Sequence, residues 1–246
     1  MDLNAIFANP WIRDAAAILL AFTVAIAWLR LIEFLAASGR LESKLSRKII
    51  HIGTGPLFVL CWLFFSSAPS ARYFAVLVPL VITGQFFAIG LGWIEAPEAV
   101  QAMTRTGKPS EILRGPLYYG IVFIICTLVF WRPSPIRIVA LMSLCGGDGF
   151  ADIVGRRFGT HKLFFNPQKS WAGSLAIFIG SFTFSFAFLV LFNYFHNFQP
   201  ALGLAEIARN VAAIALVTTI VEALPYGDID NITLTAVAIL LGRSFF

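Results

Sequence analysis

Eight apolar runs separated by short polar stretches govern what this chain can fold into: Ala15–Ala37, Ile49–Phe65, Tyr73–Ile94, Pro116–Trp131, Ile138–Cys145, Trp171–Phe195, Ile207–Leu224 and Ile232–Phe246. A helix needs about 20 apolar residues, within a range of about 17–25, to cross a bilayer. Several runs reach that length. Those starting at Pro116, Ile138 and Ile232 are short, and the run from Ile138 continues to Val154 only by carrying Asp148 and Asp152 inside it. Charged residues make up 13% of the chain and the mean hydropathy is +0.83, against roughly 25% charged in an average soluble domain. A water-soluble globule is excluded. The expected fold is an all-α integral membrane protein, a polytopic bundle of seven or eight transmembrane helices with a broken helix near Gly146–Asp152. Residues 1–246 read as a single transmembrane catalytic domain, with no internal repeat, low-complexity linker or second domain.

The first run is long and preceded by only Arg13 and Asp14, so it reads as a retained helix rather than a cleaved signal. Cys61, Cys126 and Cys145 lie inside apolar runs without a CxxC pair, which supports neither a disulfide framework nor a zinc site. With eight spans, segments 38–48, 95–115, 156–170 and 225–231 share one side and carry eleven Lys and Arg, against six on the other. The excess predicts that this side is cytoplasmic. The expected location is a bacterial inner (cell) membrane with the site on the cytoplasmic face. The net charge of +5 follows from such loops and from anionic lipid. Nothing resembles a nucleic-acid-binding face.

Against this apolar background, the segment 146–173 concentrates Asp148, Asp152, Arg156, Arg157, His161, Lys162 and Lys169. Ionisable groups are costly at membrane depth and mark function. Residues four apart share a helix face, so Asp148 and Asp152 point one way with Arg156 a turn further on. Gly146, Gly147 and Gly149 leave the backbone open to a closely approaching ligand or let the helix break. Two carboxylates plus substrate phosphates are what Mg²⁺ prefers, and Lys and Arg are the usual phosphate partners. Asn166-Pro167 marks a turn, and Ser170 is placed to cap the following span.

Three further groups stand out. Arg47-Lys48-Ile49-Ile50-His51-Ile52-Gly53-Thr54-Gly55 opens the second span, its small residues suited to close packing that would carry His51 toward Asp148. Glu222 ends the seventh span, as a third metal ligand or a base, and Pro225, Asp228, Asp230 and Asn231 follow, the polar ones as ligands or helix caps. Arg30 and Glu33 read as an ion pair within the first span, while the loop 95–115, with Arg105, Lys108 and Glu111, is long enough to fold over a site.

Taken in order, Arg47-Lys48-Ile49-Ile50-His51-Ile52-Gly53, Gly147-Asp148-Gly149-Phe150-Ala151-Asp152, Gly155-Arg156-Arg157-Phe158-Gly159, Lys169-Ser170-Trp171-Ala172-Gly173-Ser174, Val221-Glu222 and Asp230-Asn231 resemble the motifs of the polyprenol kinase family. That family contains phytol, farnesol and dolichol kinases. The resemblance implies transfer of the γ-phosphate of a nucleoside triphosphate, typically CTP, to the hydroxyl of an isoprenoid alcohol, with Mg²⁺. It assigns Asp148 and Asp152 to the metal–nucleotide site, and Gly147, Arg156, Lys162, Lys169 and Ser170 to the nucleotide-binding segment. Lys48, His51, Glu222, Asp230 and Asn231 would line the same cavity, with His51 or Glu222 orienting or deprotonating the alcohol.

CDP-diacylglycerol synthases are similar in the central segment and also use CTP. Their C-terminal signature, a Lys-Arg followed by Lys-Asp and a Gly-His-Gly-Gly stretch, is replaced here by Val221–Pro225 and Asp228–Asn231. A cytidylyltransferase is therefore the runner-up. A transporter built on a broken helix is the non-enzymatic alternative, opposed by the gathering of charge at one face. The expected partners are membrane lipid, an isoprenoid alcohol and a nucleotide.

Overall fold

The computed structural model describes residues 9–131, 134–224 and 230–246, Asp230 by its backbone alone. Its helices group into two compact units, Met1–Trp131 and Arg132–Phe246, a division that no linker in the sequence announces. Six helical rods are long and apolar enough to cross a membrane: Pro10–Ala37, Ala71–Gly90, Pro109–Val129, Ile136–Phe158, Trp171–Tyr194 and Leu204–Glu222. A shorter apolar helix spans Asn231–Phe245, and Ser43–Cys61 forms a further helix whose first turns are polar. Each expected run has its helix, and the chain is an all-α polytopic membrane protein.

In the first unit, α1 (Pro10–Ala37) starts before its apolar run because Asn9 and Pro10 supply a start signal. The Asn9 side chain accepts the Trp11 N–H at 3.0 Å, and proline suits the first helical position, where an N–H would lack a partner. The helices α2 (Ser43–Cys61), α3 (Ala71–Ala75) and α4 (Leu77–Gly90) follow. Next come a short α5 (Pro97–Met103), a 3₁₀ turn (Pro109–Leu113) and α6 (Gly115–Val129). The segment after α4 is not one continuous loop: its short α5 packs on α1 and α2. Ser46 Oγ donates to the Ala102 carbonyl at 2.9 Å, and Gln101 to that of Ala36 at 3.4 Å. Segments 38–48 and 95–115 thus meet at one end of this unit, as the charge count groups them. Buried Asp14, near the other end of α1, accepts from the N–H and hydroxyl of Ser66 at 2.6 and 2.9 Å. Arg30 and Glu33 pair at 3.1 Å, as expected.

The second unit opens with a rod in three parts. Helix α7 (Ile136–Met142) runs into a wide π-helical turn (Ser143–Asp148) and on into α8 (Gly149–Phe158). The break expected near Gly146–Asp152 takes the form of this widening, through which the helix continues. Arg137, counted with the loops of the far side, lies in the first turn of α7 and is 0% exposed. The helix begins a residue earlier, where the Ile136 N–H donates to Ser134 Oγ at 3.3 Å. A two-stranded antiparallel hairpin, β1 (Lys162–Leu163) and β2 (Asn166–Ser170), leads to α9 (Trp171–Tyr194), followed by α10 (Leu204–Glu222) and α11 (Asp230–Phe245).

Helix α9 is the hub. A Cβ on Gly180 would lie 2.3 Å from the Gly146 carbonyl oxygen, and one on Gly147 would lie 2.3 Å from Ser181 Oγ. Backbones approach this closely only over small residues, the usual device for joining helices where lipid offers no hydrophobic drive. Ser181 and Ser185 donate to the carbonyls of Ser143 and Val139 at 3.4 and 3.5 Å, respectively. A wide turn displaces carbonyls from their regular partners, and these hydroxyls serve the rod there.

Candidate active site

One end of the second unit gathers most of the sequence-predicted residues. Asp148 closes the π turn, half-buried, and Asp152 stands in the first turn of α8. Asp152 accepts from Arg156 Nε at 2.9 Å, one turn along. The α8 and α9 ends are drawn together by Gly155 and Gly173, where a Cβ on Gly173 would sit 3.6 Å from the Gly155 Cα. Between them Ser170 caps α9 as expected, its Oγ accepting the Gly173 N–H at 3.1 Å. Gly159 has no room for a side chain, since a Cβ would lie 2.1 Å from the Gly155 carbonyl oxygen and 2.4 Å from Ser170 Oγ.

The hairpin then brings in the lysines. Pairing of Lys162 with Ser170 and of Leu163 with Asn166 sets its register, and the Trp171 N–H donates to the His161 carbonyl at 3.1 Å, closing its base. The turn falls at Phe164-Phe165, where the sequence carries no turn signature. Asn166, expected to make the turn, is buried and spent otherwise. Its Nδ2 donates to the Ala223 carbonyl at 3.0 Å and its Oδ1 accepts the Gln168 N–H at 3.2 Å, tying the hairpin to the end of α10. One residue before that tie, the Glu222 carboxylate accepts from the Lys169 ammonium. Glu222 is thus paired with a lysine at the end of α10. Among the described residues no three His, Cys, Asp or Glu side chains gather as a metal site.

Helix α11 runs antiparallel to α7, with Gly242 against Ile136, and the Asn210 amide donates to the Phe245 carbonyl at 2.7 Å. Counting back from the Gly242 contact along both helices at about 1.5 Å per residue brings Asn231 to the level of Asp148. Asp230 opens α11, while Pro225 and Asp228 lie outside the described residues. Two ion pairs thus stand in this unit, Asp152 with Arg156 and Glu222 with Lys169, and Lys162 lies exposed on the first strand of the hairpin. Arg157 turns away, its guanidinium 5.7 Å from the Phe158 ring centroid.

Lys48 and His51 belong to the first unit and share α2. Lys48 is 6% exposed. The His51 carbonyl accepts the Tyr119 hydroxyl at 2.8 Å, and the two rings lie 4.5 Å apart between centroids. The small-residue run that follows is used against α1: a Cβ on Gly53 would lie 2.3 Å from the Trp28 indole.

Sequence reasoning missed Asn166 as a tie and the pairing of Lys169 with Glu222. Only the buried Asn-Pro placed just before a Lys-Ser could have signalled the first; the second joins elements far apart in the chain.

Known proteins give this arrangement its setting. The chain is 44% identical to "Probable phytol kinase 1, chloroplastic" of Oryza sativa subsp. japonica, over 96% of its own length and 75% of the relative's. It is 42% identical to "Probable phytol kinase, chloroplastic" of Triticum aestivum, with 97% and 80% covered. To "Phytol kinase 1, chloroplastic" of Arabidopsis thaliana it is 39% identical, with 96% and 78% covered. No protein-family model and no solved structure matches it. The relatives' names carry a chloroplast address, which conflicts with the bacterial cell membrane expected from the sequence; the membrane-spanning helices support an integral membrane protein. Identity of this extent along nearly the whole chain shows the family: the chain belongs to the phytol kinases.

Proposed function

We propose that this protein transfers the γ-phosphate of CTP to the hydroxyl of an isoprenoid alcohol, phytol being the acceptor its relatives' names point to, at the hairpin end of the second unit. The observation that carries this reading is the column of Asp148, Asp152 and Arg156 beside a hairpin bearing Lys162 and Lys169. The donor set fits Mg²⁺: two carboxylates one turn apart, with phosphate oxygens completing the shell, is how that ion is usually bound. Asp148 and Asp152 would hold it, and when bound it neutralises charge across the phosphates.

The remaining work falls to side chains. Phosphoryl transfer needs positioning and electrostatics more than covalent chemistry. Arg156, Lys162 and Lys169 bind phosphate oxygens; Gly147 and Ser170 set the backbones that carry them, one by packing on α9 and one by capping it. Lys169 exchanges the carboxylate of Glu222 for the more highly charged phosphates. Glu222, freed of its ammonium partner, is then suited to take the proton of the alcohol. Asp230 and Asn231 border the same end from α11.

The test uses purified full-length protein with Mg²⁺, γ-labelled CTP, UTP or ATP, a panel of prenyl alcohols, and phosphatidic acid as a separate acceptor. Label is expected in a prenyl monophosphate with CTP as the best donor, and Asp148→Asn abolishes it while leaving the thermal transition in place. Pyrophosphate release with formation of a CDP-lipid would replace this reading with a cytidylyltransferase. Unaltered turnover in Asp148→Asn would remove the metal assignment.

A further inference from the structure

The tip of the β1–β2 hairpin presents Phe164 at 90% exposure and Phe165 at 44%, the rings edge to face with centroids 4.9 Å apart. Large aromatic side chains at a turn are rarely left in water, since each buries much apolar area when it finds a partner. A two-stranded hairpin alone is also marginally stable in water. This one is rigid at its base, where Leu163 is buried, Asn166 is bonded to Ala223 and Lys169 is paired with Glu222. Its tip is therefore held out on a fixed support with nothing of the second unit covering Phe164.

Position and charge say what covers it. The hairpin enters α9 at Trp171, an exposed aromatic at the end of a membrane-crossing helix whose other end carries exposed Tyr194. Aromatic residues at both ends of a span mark the two membrane–water interfaces. Exposed Phe158 stands at the same end, and Arg157 and Lys162 are exposed beside it. Apolar rings flanked by cations are the composition of segments that lie in the boundary between headgroups and acyl chains of anionic membranes. We propose that the Phe164-Phe165 tip inserts into the bilayer interface as an anchor, with Arg157 on anionic headgroups. The anchor fixes the height of the hairpin, and so of Lys162 and Lys169, at the level where the hydroxyl of a membrane-dissolved alcohol lies. The insertion itself does not depend on which alcohol or nucleotide the protein uses.

The three cysteines, Cys61, Cys126 and Cys145, are all buried, so Phe164→Cys offers one accessible thiol for an environment-sensitive fluorophore on the full chain. The labelled protein is placed in vesicles of phosphatidylcholine with or without phosphatidylglycerol, containing lipids with a nitroxide near the headgroup or deep in the acyl chain. Blue-shifted emission, quenching several-fold stronger by the shallow nitroxide than by aqueous iodide, and deeper protection with phosphatidylglycerol are expected. Adding Arg157→Gln reduces the phosphatidylglycerol effect. Water-like emission quenched freely by iodide would overturn the proposal. A blue shift insensitive to both nitroxides, or one lost when vesicles hold a single copy each, would overturn it too, the latter in favour of contact between copies. A Phe165→Cys label read in the same way guards against a local effect of the first substitution.

Discussion

Lys169 and Glu222 make an asymmetric pair, and the asymmetry can be measured. Glu222 has a side chain 3% exposed, whereas that of Lys169 is 26% exposed. Removing one partner of a buried pair costs about 3–5 kcal/mol when the other is left charged and enclosed. Lys169→Ala does this, stranding the Glu222 carboxylate. Glu222→Ala strands only an ammonium on a flexible stem that can turn outward, so it loses about 1.5 kcal/mol, the low end for a charge-assisted hydrogen bond. For a chain of this size each kcal/mol moves the midpoint by about 2–4 °C, so Lys169→Ala lowers it by on the order of 10 °C and Glu222→Ala by a few degrees. The double variant has no carboxylate to strand and recovers much of the loss. Thermal unfolding of the four proteins in one detergent, followed by intrinsic fluorescence, completes the cycle. The reasoning fails if Glu222→Ala is the more damaging of the two, or if the double variant melts no higher than Lys169→Ala.

Glycine substitutions divide by what surrounds them. Gly180→Ala drives a methyl toward the Gly146 backbone at 2.3 Å and costs about 1–3 kcal/mol, whereas Gly84, in α4 with nothing within 4 Å, gains about 0.5–1 kcal/mol as alanine; the same melting assay separates them. Ser170→Ala removes the cap of α9 and lowers stability by about 1 kcal/mol, with Ser170→Asp restoring part of it. Arg156→Gln breaks an ion pair whose side chains are 42% and 23% exposed, so stability changes by less than about 1 kcal/mol. Its effect falls on the nucleotide, read as a rise in the KM for CTP at unchanged KM for the alcohol.

The apolar runs announced every long helix because burial in lipid is written in composition alone. Ends were less legible where a cap or a proline outweighed hydropathy, as at Asn9-Pro10. Asp152–Arg156 and the Ser170 cap were readable because both are local: a helix repeat fixes one and a capping preference the other. Glu222 with Lys169 was not, since a pair between α10 and the hairpin is set by how α9 and α10 lie together. The glycines of the Asp148 segment were read as openings for a ligand or as a break in the helix, yet Gly146 and Gly147 admit α9. Small residues serve both purposes, and only a neighbour's coordinates tell which. The hairpin escaped notice because phenylalanines occupy its turn, and its reason for having them lies outside the polypeptide.

The wide turn at Ser143–Asp148 has a consequence for helical phase. Val139, Ser143, Gly147, Ala151 and Gly155 all meet α9, each four residues from the last. A regular helix advances roughly 100° per residue, so every such step overshoots a full turn by roughly 40°, and the stripe would wind away from a neighbouring helix before reaching Gly155. Hydrogen bonds that reach one residue further slow the winding and turn the drift back midway along the stripe. Asp148, Asp152 and Arg156 each follow a stripe member by one position, so the correction that keeps the packing face on α9 also keeps these three in a single file beside it. Straightening the turn to regular winding without removing a residue would leave the helix intact and send that file around the axis, away from the hairpin.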